Sequence, residues 1–214
     1  MKITCNRLLP LPIIELDHSH SDIWEREGLL FESGRSYLVQ APSGMGKTTL
    51  LSVFFGLRGD YTGKAAIDGR DLAGMGLNSW TSLRRNKLSF VFQGLRLFPQ
   101  LTAMENIQVK NRLTGYLTEK QIIEMAEALN VENHLDREAQ FLSFGQQQRI
   151  AIIRALCQPF GMLLLDEPFS HLDKLNIERG LGLISAECEK QQAGFILTSL
   201  GNSYDFNFDC VMNL

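Results

Sequence analysis

The nine residues Ala41-Pro-Ser-Gly-Met-Gly-Lys-Thr-Thr49 constrain this chain more than any other stretch. They fit the spacing GxxxxGK[ST], with Ala41 standing where the first glycine belongs. Gly44 and Gly46 let the backbone curl with its N–H groups turned inward, and a helix opening near Thr48 points its positive end at the same spot. A loop of that kind holds a phosphate. In it, Lys47 reaches the β- and γ-phosphates of a nucleotide and the Thr48 hydroxyl ligates Mg²⁺. The flanks supply the context that the motif requires: residues 36–41 read as a short buried strand, and residues 48–57 as a mostly apolar helix. Alanine at 41 costs little provided that its φ is negative. The expected nucleotide site is therefore Ala41, Pro42, Ser43, Gly44, Met45, Gly46, Lys47, Thr48 and Thr49.

The second chemical signal is Met162-Leu-Leu-Leu-Asp166-Glu167-Pro168, an apolar run too short for a helix that ends in two carboxylates. A buried parallel strand looks like this, because both faces of its sheet are covered. Asp166 at its carboxyl end lies on the edge where α/β sheets bind ligands, placed to hold Mg²⁺ through a water. Glu167 beside it is placed to polarise the water that attacks a γ-phosphate. Solvated acids at a strand-to-loop junction are the competing reading, and the phosphate loop upstream argues against it.

Between and beyond these signals the chain alternates. Leu88-Ser-Phe-Val-Phe and Phe195-Ile-Leu-Thr read as strands. Residues 118–129 read as a helix started by Thr118 and Glu119, with Ile122, Met125, Ala126 and Leu129 at helical spacing. Residues 145–156 read as another, with Ile150, Ala151 and Ile153 inward and Gln147, Gln148 and Arg154 outward. Strand and helix alternate at both ends around a mainly helical stretch from about 95 to 157, which predicts an α/β domain with a helical insertion. A length of 214 residues, 44% of them hydrophobic, suits one compact domain over 1–214.

Charge and cysteine usage narrow the class. A net charge of −3 gives no reason to expect a nucleic-acid partner, and the run Arg84, Arg85, Lys87 reads as a solvated face. Cys5, Cys157, Cys188 and Cys210 are scattered without a CxxC pair, so neither zinc nor a disulfide framework is indicated and a reduced, cytosolic protein is expected. No apolar stretch approaches the ~18–20 residues that span a bilayer. Work at a membrane would need another polypeptide as anchor.

Three further elements carry a family resemblance. Leu142-Ser-Phe-Gly-Gln-Gln-Gln-Arg149 resembles the LSGGQ signature of ATP-binding cassette (ABC) ATPases, Gln93 in Phe90-Val-Phe-Gln93 resembles their Q-loop glutamine, and Ser170-His-Leu-Asp173 resembles their D-loop. With the two elements above, all five stand in the family's order. The resemblance implies a P-loop NTPase core with a mostly parallel sheet, an antiparallel β-subdomain, and a helical subdomain at about 95–157. It implies ATP and Mg²⁺ as ligands, with Thr48, Gln93 and Asp166 at the metal and Glu167, Gln93 and the residue at position 199 at the hydrolytic centre. It also implies a head-to-tail dimer, homo- or heteromeric, in which Ser143, Phe144, Gly145 and Gln146 of one subunit cover the ATP of the other, with Asp173 as the D-loop residue. The implied setting is the cytoplasmic face of a membrane, held there by integral-membrane transporter subunits. Residues 93–106 look closest to the lipoprotein-release, macrolide-efflux and cell-division group.

Two departures bear on activity. Phe144 replaces a small signature residue. Ser199 stands where the family carries its switch histidine, and a hydroxyl brings no imidazole to orient the γ-phosphate and water. Slow turnover, or an ATP-gated regulatory subunit with little hydrolysis, follows as the alternative reading; a soluble ABC protein of DNA repair or translation is a third, without the insertions such chains carry. The adenine-stacking aromatic has no obvious counterpart either: residues 1–30 hold neither Tyr nor Phe, Trp24 lies close to the next strand, and His18 and His20 read as surface residues.

Overall fold

The computed structural model describes residues 1–201 and 204–214. Two sheets organise it. Strands β1 (Lys2–Pro10), β2 (Leu29–Glu32), β4 (Tyr61–Ile67) and β5 (Arg70–Asp71) form an antiparallel sheet in the order β2-β1-β4-β5. Strands β3 (Ser36–Gln40), β6 (Leu88–Val91), β7 (Met162–Asp166), β8 (Gly194–Ser199) and β9 (Cys210–Asn213) form a parallel sheet in the order β6-β7-β8-β3-β9. Every residue of β7 and β8 is buried, which is why both read as unbroken apolar runs.

The two-residue period of the strands divides the core. Leu38, Leu163, Leu165, Phe195 and Leu197 point into one apolar cluster, while Tyr37, Val39, Met162, Leu164 and Ile196 point into the other. The first cluster takes in helices α3 (Ala103–Asn111), α4 (Glu119–Ala128), α5 (Phe144–Leu156) and α6 (Lys174–Gln191). The second packs α1 (Lys47–Phe54), α2 (Leu77–Asn86) and the antiparallel sheet against the opposite face. Helices therefore cover one side, and a sheet with two helices covers the other. Capping boxes start α3 and α4: Thr102 pairs with Glu105 and Thr118 with Gln121, the latter at the helix start expected from sequence.

One expectation is corrected. Gln148 and Arg154 do not face outward; both are buried, Gln148 Nε2 donating to Ser170 Oγ while its Oε1 has no partner among the described residues, and Arg154 donating to the Leu95 and Arg96 carbonyls. Gln147, half-buried, turns back onto the Ala139 and Leu142 carbonyls.

The parallel sheet closes on its last strand through Asp209, whose carboxylate accepts hydrogen bonds from the Ser36 N–H and hydroxyl, each at 2.7 Å. Those bonds from Ser36 hold the Asp209 carboxyl below its ordinary value of 3.8. A carboxyl depressed in the folded state stabilises it above the unfolded pKa, and that contribution is lost as the pH falls through the folded value. Asp209→Ala is therefore expected to lower the urea midpoint at pH 7 and to lose its difference from wild type in strong acid. A gap that stays constant across that range would show that packing, and not charge, is at work.

Candidate functional site

The phosphate loop leaves the end of β3 and enters α1. Ala41 does not take a positive φ, so alanine is accommodated there without strain. Gly44 and Gly46 do, at 85° and 96°. A Cβ on Gly46 would also come within 2.7 Å of Ile13 Cδ1 and 3.1 Å of Trp24 Cζ2, so the segment between β1 and β2 lies directly over the loop. Gly46 precedes α1 and no side chain caps the helix there, which leaves its first N–H groups for an anion.

The side chains converge on Glu167. Lys47 is buried; its Nζ donates to the carbonyls of Ala41 at 2.7 Å and Pro42 at 2.9 Å and lies 3.2 Å from Glu167 Oε1. Gln93 Nε2 donates to Glu167 Oε2 at 3.4 Å. Glu167 itself has a left-handed backbone, φ 48°, with its N–H held by Thr198 Oγ1 at 3.1 Å. Asp166 lies behind it, fully buried. Burial pushes its carboxyl up, and hydrogen bonds from Thr48 and from Thr198 (3.0 Å) oppose that rise. The resulting cavity, about 210 Å³, is lined by Ser43, Gly44, Gly46, Lys47, Thr48, Thr49, Gln93 and Glu167, with Pro12 and Ile13 as an apolar wall.

Most of the residues singled out in the sequence thus meet at one sheet edge. Met45 packs toward the apolar core beneath. Ser199 is not on the cavity wall: it is buried, shares a hydrogen bond with Tyr204, and its carbonyl accepts the Ala41 N–H. Thr198, Pro12, Ile13 and Trp24 received no site role from sequence. Thr198 carries a signal in hindsight, a polar residue ending an apolar strand beside the Asp166 strand. Trp24 is buried against the phosphate loop, so its nearness to β2 does not keep it from the site.

The signature residues form a second cluster outside this cavity. Ser143 caps α5, with Gln146 as the reciprocal partner of a capping box. A Cβ on Gly145 would lie 3.2 Å from Leu172 Cδ2, so the start of α5 runs close against residues 170–173. Phe144 meets His171 edge to face with ring centroids 4.6 Å apart. Asp173 caps α6 by accepting the Asn176 N–H at 2.8 Å.

The family profile described as ABC transporter matches residues 28–170. The aliphatic sulfonates import ATP-binding protein SsuB of Bacillus licheniformis is 38% identical over 145 residues, 68% of this chain and 53% of that protein. The lipoprotein-releasing system ATP-binding protein LolD of Novosphingobium aromaticivorans is 34% identical over 163 residues, covering 75% of this chain and 73% of that protein. The matched part of this chain spans about half the length of SsuB and of two uncharacterized ABC transporter ATP-binding proteins of Mycobacterium tuberculosis. Among solved structures, the dimeric MJ0796 bacterial ABC transporter cassette superposes with a TM-score of 0.76 at 26% identity, covering 94% of this chain and 88% of that one. Its post-hydrolysis state with ADP and Pi superposes at 0.74 and 27%, covering 93% and 88%. The matched stretch takes in the phosphate loop, the Gln93 turn, the Ser143 helix start and the Asp166–Glu167 strand end, and the backbone carries them on a cassette fold: the chain belongs to the ABC transporter family.

Proposed function

We propose that this chain, acting over 1–214 as one ATPase domain, binds Mg-ATP and hydrolyses it as the ATP-binding subunit of an ABC transporter. The observation that carries the reading is the convergence of Lys47 and Gln93 on the Glu167 carboxylate at the mouth of the phosphate loop. Lys47 holds the β- and γ-phosphates of the substrate. With its Nζ taken up by phosphate oxygens, the Glu167 carboxylate serves as base. Water attacks the γ-phosphorus, its proton passes to Glu167, and the bond to the bridging oxygen breaks to release ADP.

The donor set fits Mg²⁺. The Thr48 hydroxyl and the Asp166 carboxylate are hard oxygens already bonded to one another, and the raised Asp166 pKa marks a buried charge that a cation would stabilise. Thr48, Asp166 and Gln93 would hold the ion, which neutralises charge building on the phosphate oxygens.

Ser143, Phe144, Gly145, Gln146 and Asp173 lie outside the cavity, consistent with their serving the ATP of a second ABC subunit, and the solved relatives are described as dimeric. Among the described residues no helix is long and apolar enough to cross a membrane. Integral-membrane subunits would supply the anchor on the cytoplasmic face. LolD stands among the relatives beside the sulfonate importer and the thiamine import protein ThiQ of Vibrio vulnificus, so the lipoprotein-release group is one affinity among several. Ser199 lies outside the cavity wall and bonds to Tyr204, which favours slow turnover.

ATP binding to the purified chain tests the core of this. Lys47→Ala removes charge-assisted hydrogen bonds and is expected to weaken binding by about 10–100-fold. A folded wild-type chain that binds no ATP overturns the proposal.

A further inference from the structure

The start of α5 touches a histidine that lies outside it. In the capping box, Gln146 Oε1 accepts the Ser143 N–H at 2.8 Å while the Gln146 N–H donates to Ser143 Oγ at 3.3 Å. The other end of the same amide, Nε2, lies 2.8 Å from His134 Nε2. The Ser143 N–H is a donor only, so Oε1 must face it and the amide must turn its NH₂ toward His134. An NH₂ group offers only hydrogens. His134 Nε2 must then be the accepting nitrogen of a neutral imidazole whose proton sits on Nδ1.

The pair is not what joins the two segments. Arg149 of α5 already donates to the Leu129 and Asn130 carbonyls just ahead of the His134 turn, and the His134 N–H is taken by the Val131 carbonyl. What the His134 contact adds is the orientation of one amide. If His134 offered a hydrogen instead of a lone pair, Gln146 would have to flip. Its NH₂ would then meet the Ser143 N–H, and the cap would be lost.

We infer that His134 is a positioning residue for the signature: through Gln146 it sets the side chains that cap α5 and present Ser143 at its tip. This rests on the proposed function in one respect, that Ser143 and Gln146 face the ATP of a second subunit. It predicts that His134→Phe, which keeps a ring and removes the acceptor, speeds amide exchange at Ser143 about fivefold, the worth of one neutral hydrogen bond. The same variant lowers kcat/KM for ATP by a similar factor and leaves ATP affinity of the unpaired chain unchanged.

Three readouts decide it. Imidazole ¹⁵N spectra of the wild type are expected to show His134 protonated at Nδ1, and Gln146→Ala to release that preference; a wild-type ring protonated at Nε2 overturns the inference. The double variant His134→Arg with Gln146→Glu restores a donor facing an acceptor, because a carboxylate accepts from both the guanidinium and the Ser143 N–H. It should regain slow exchange at Ser143 where His134→Arg alone loses it, and exchange as fast as in that single variant overturns the inference in favour of mere packing. If the wild type binds no ATP, the proposed function fails, while tautomer and exchange still decide this inference. If the wild type turns over and His134→Phe matches it in kcat/KM, the inference alone fails.

Discussion

Glu167→Gln is expected to lower single-turnover ATP hydrolysis by roughly 10²–10⁴-fold, the usual worth of a positioned general base, while ATP still binds. Glutamine has the shape of glutamate and keeps an oxygen toward Lys47, 3.2 Å away, and the backbone anchor on Thr198 is untouched. What it loses is the capacity to accept a proton from water. Excess enzyme mixed with labelled ATP gives the rate, and equilibrium binding measured alongside gives the affinity. If the variant hydrolyses at a rate close to wild type, Glu167 is not the base. If binding is lost along with turnover, the carboxylate acts by setting the loop and not by chemistry.

Arg154→Met is expected to cost about 3 kcal/mol of folding stability, because it strips a buried carbonyl and a part-buried one of a charged donor at once. Arg154 is buried, and burial pushes its guanidinium down to about 10. Its guanidinium donates to the Arg96 carbonyl at 2.7 Å and to the Leu95 carbonyl. Leu95 and Arg96 are consecutive non-glycine residues at φ 54° and 51°, a conformation that costs each of them about 1–2 kcal/mol. The turn they make follows Gln93 directly, so a relaxed turn also lets Gln93 drift from Glu167. Urea unfolding should show the lost stability, and hydrolysis should fall at saturating ATP. Arg154→Lys is the sharper comparison, since it keeps the charge but not the planar fork that reaches two carbonyls. A Met variant as stable as wild type would mean that the turn holds itself.

How far the sequence could be read depends on what fixes each residue. The phosphate loop and the Asp166–Glu167 strand were legible because their chemistry dictates spacing within a few consecutive residues. Strands β7 and β8 were legible because a sheet covered on both faces demands unbroken apolar runs. The outward assignment of Gln148 and Arg154 failed for a definite reason: helical periodicity sorts polar from apolar, but a polar residue turns inward where a donor is wanted, Arg154 by two backbone carbonyls and Gln148 Nε2 by a hydroxyl. The antiparallel sheet followed only from family resemblance. In β1 the register shifts between Asn6 and Leu9 and Arg7 takes φ 50°, so the two-residue alternation that marks a strand is broken midway. The Ile13 and Trp24 contacts over Gly46 join positions far apart in the chain, and no local pattern announces them.

The left-handed backbone at Glu167 places local strain and the partner of a buried lysine at a single codon. Any residue with a Cβ carries about 1–2 kcal/mol of strain in that conformation, and glycine carries almost none. Glycine at 167 would relieve that strain but leave the buried Lys47 ammonium without its carboxylate, a loss of about 3–5 kcal/mol that outweighs the gain. A mutant library scored on melting temperature alone would therefore keep the strained glutamate, so heat selection and the proposed chemistry favour the same residue at this position.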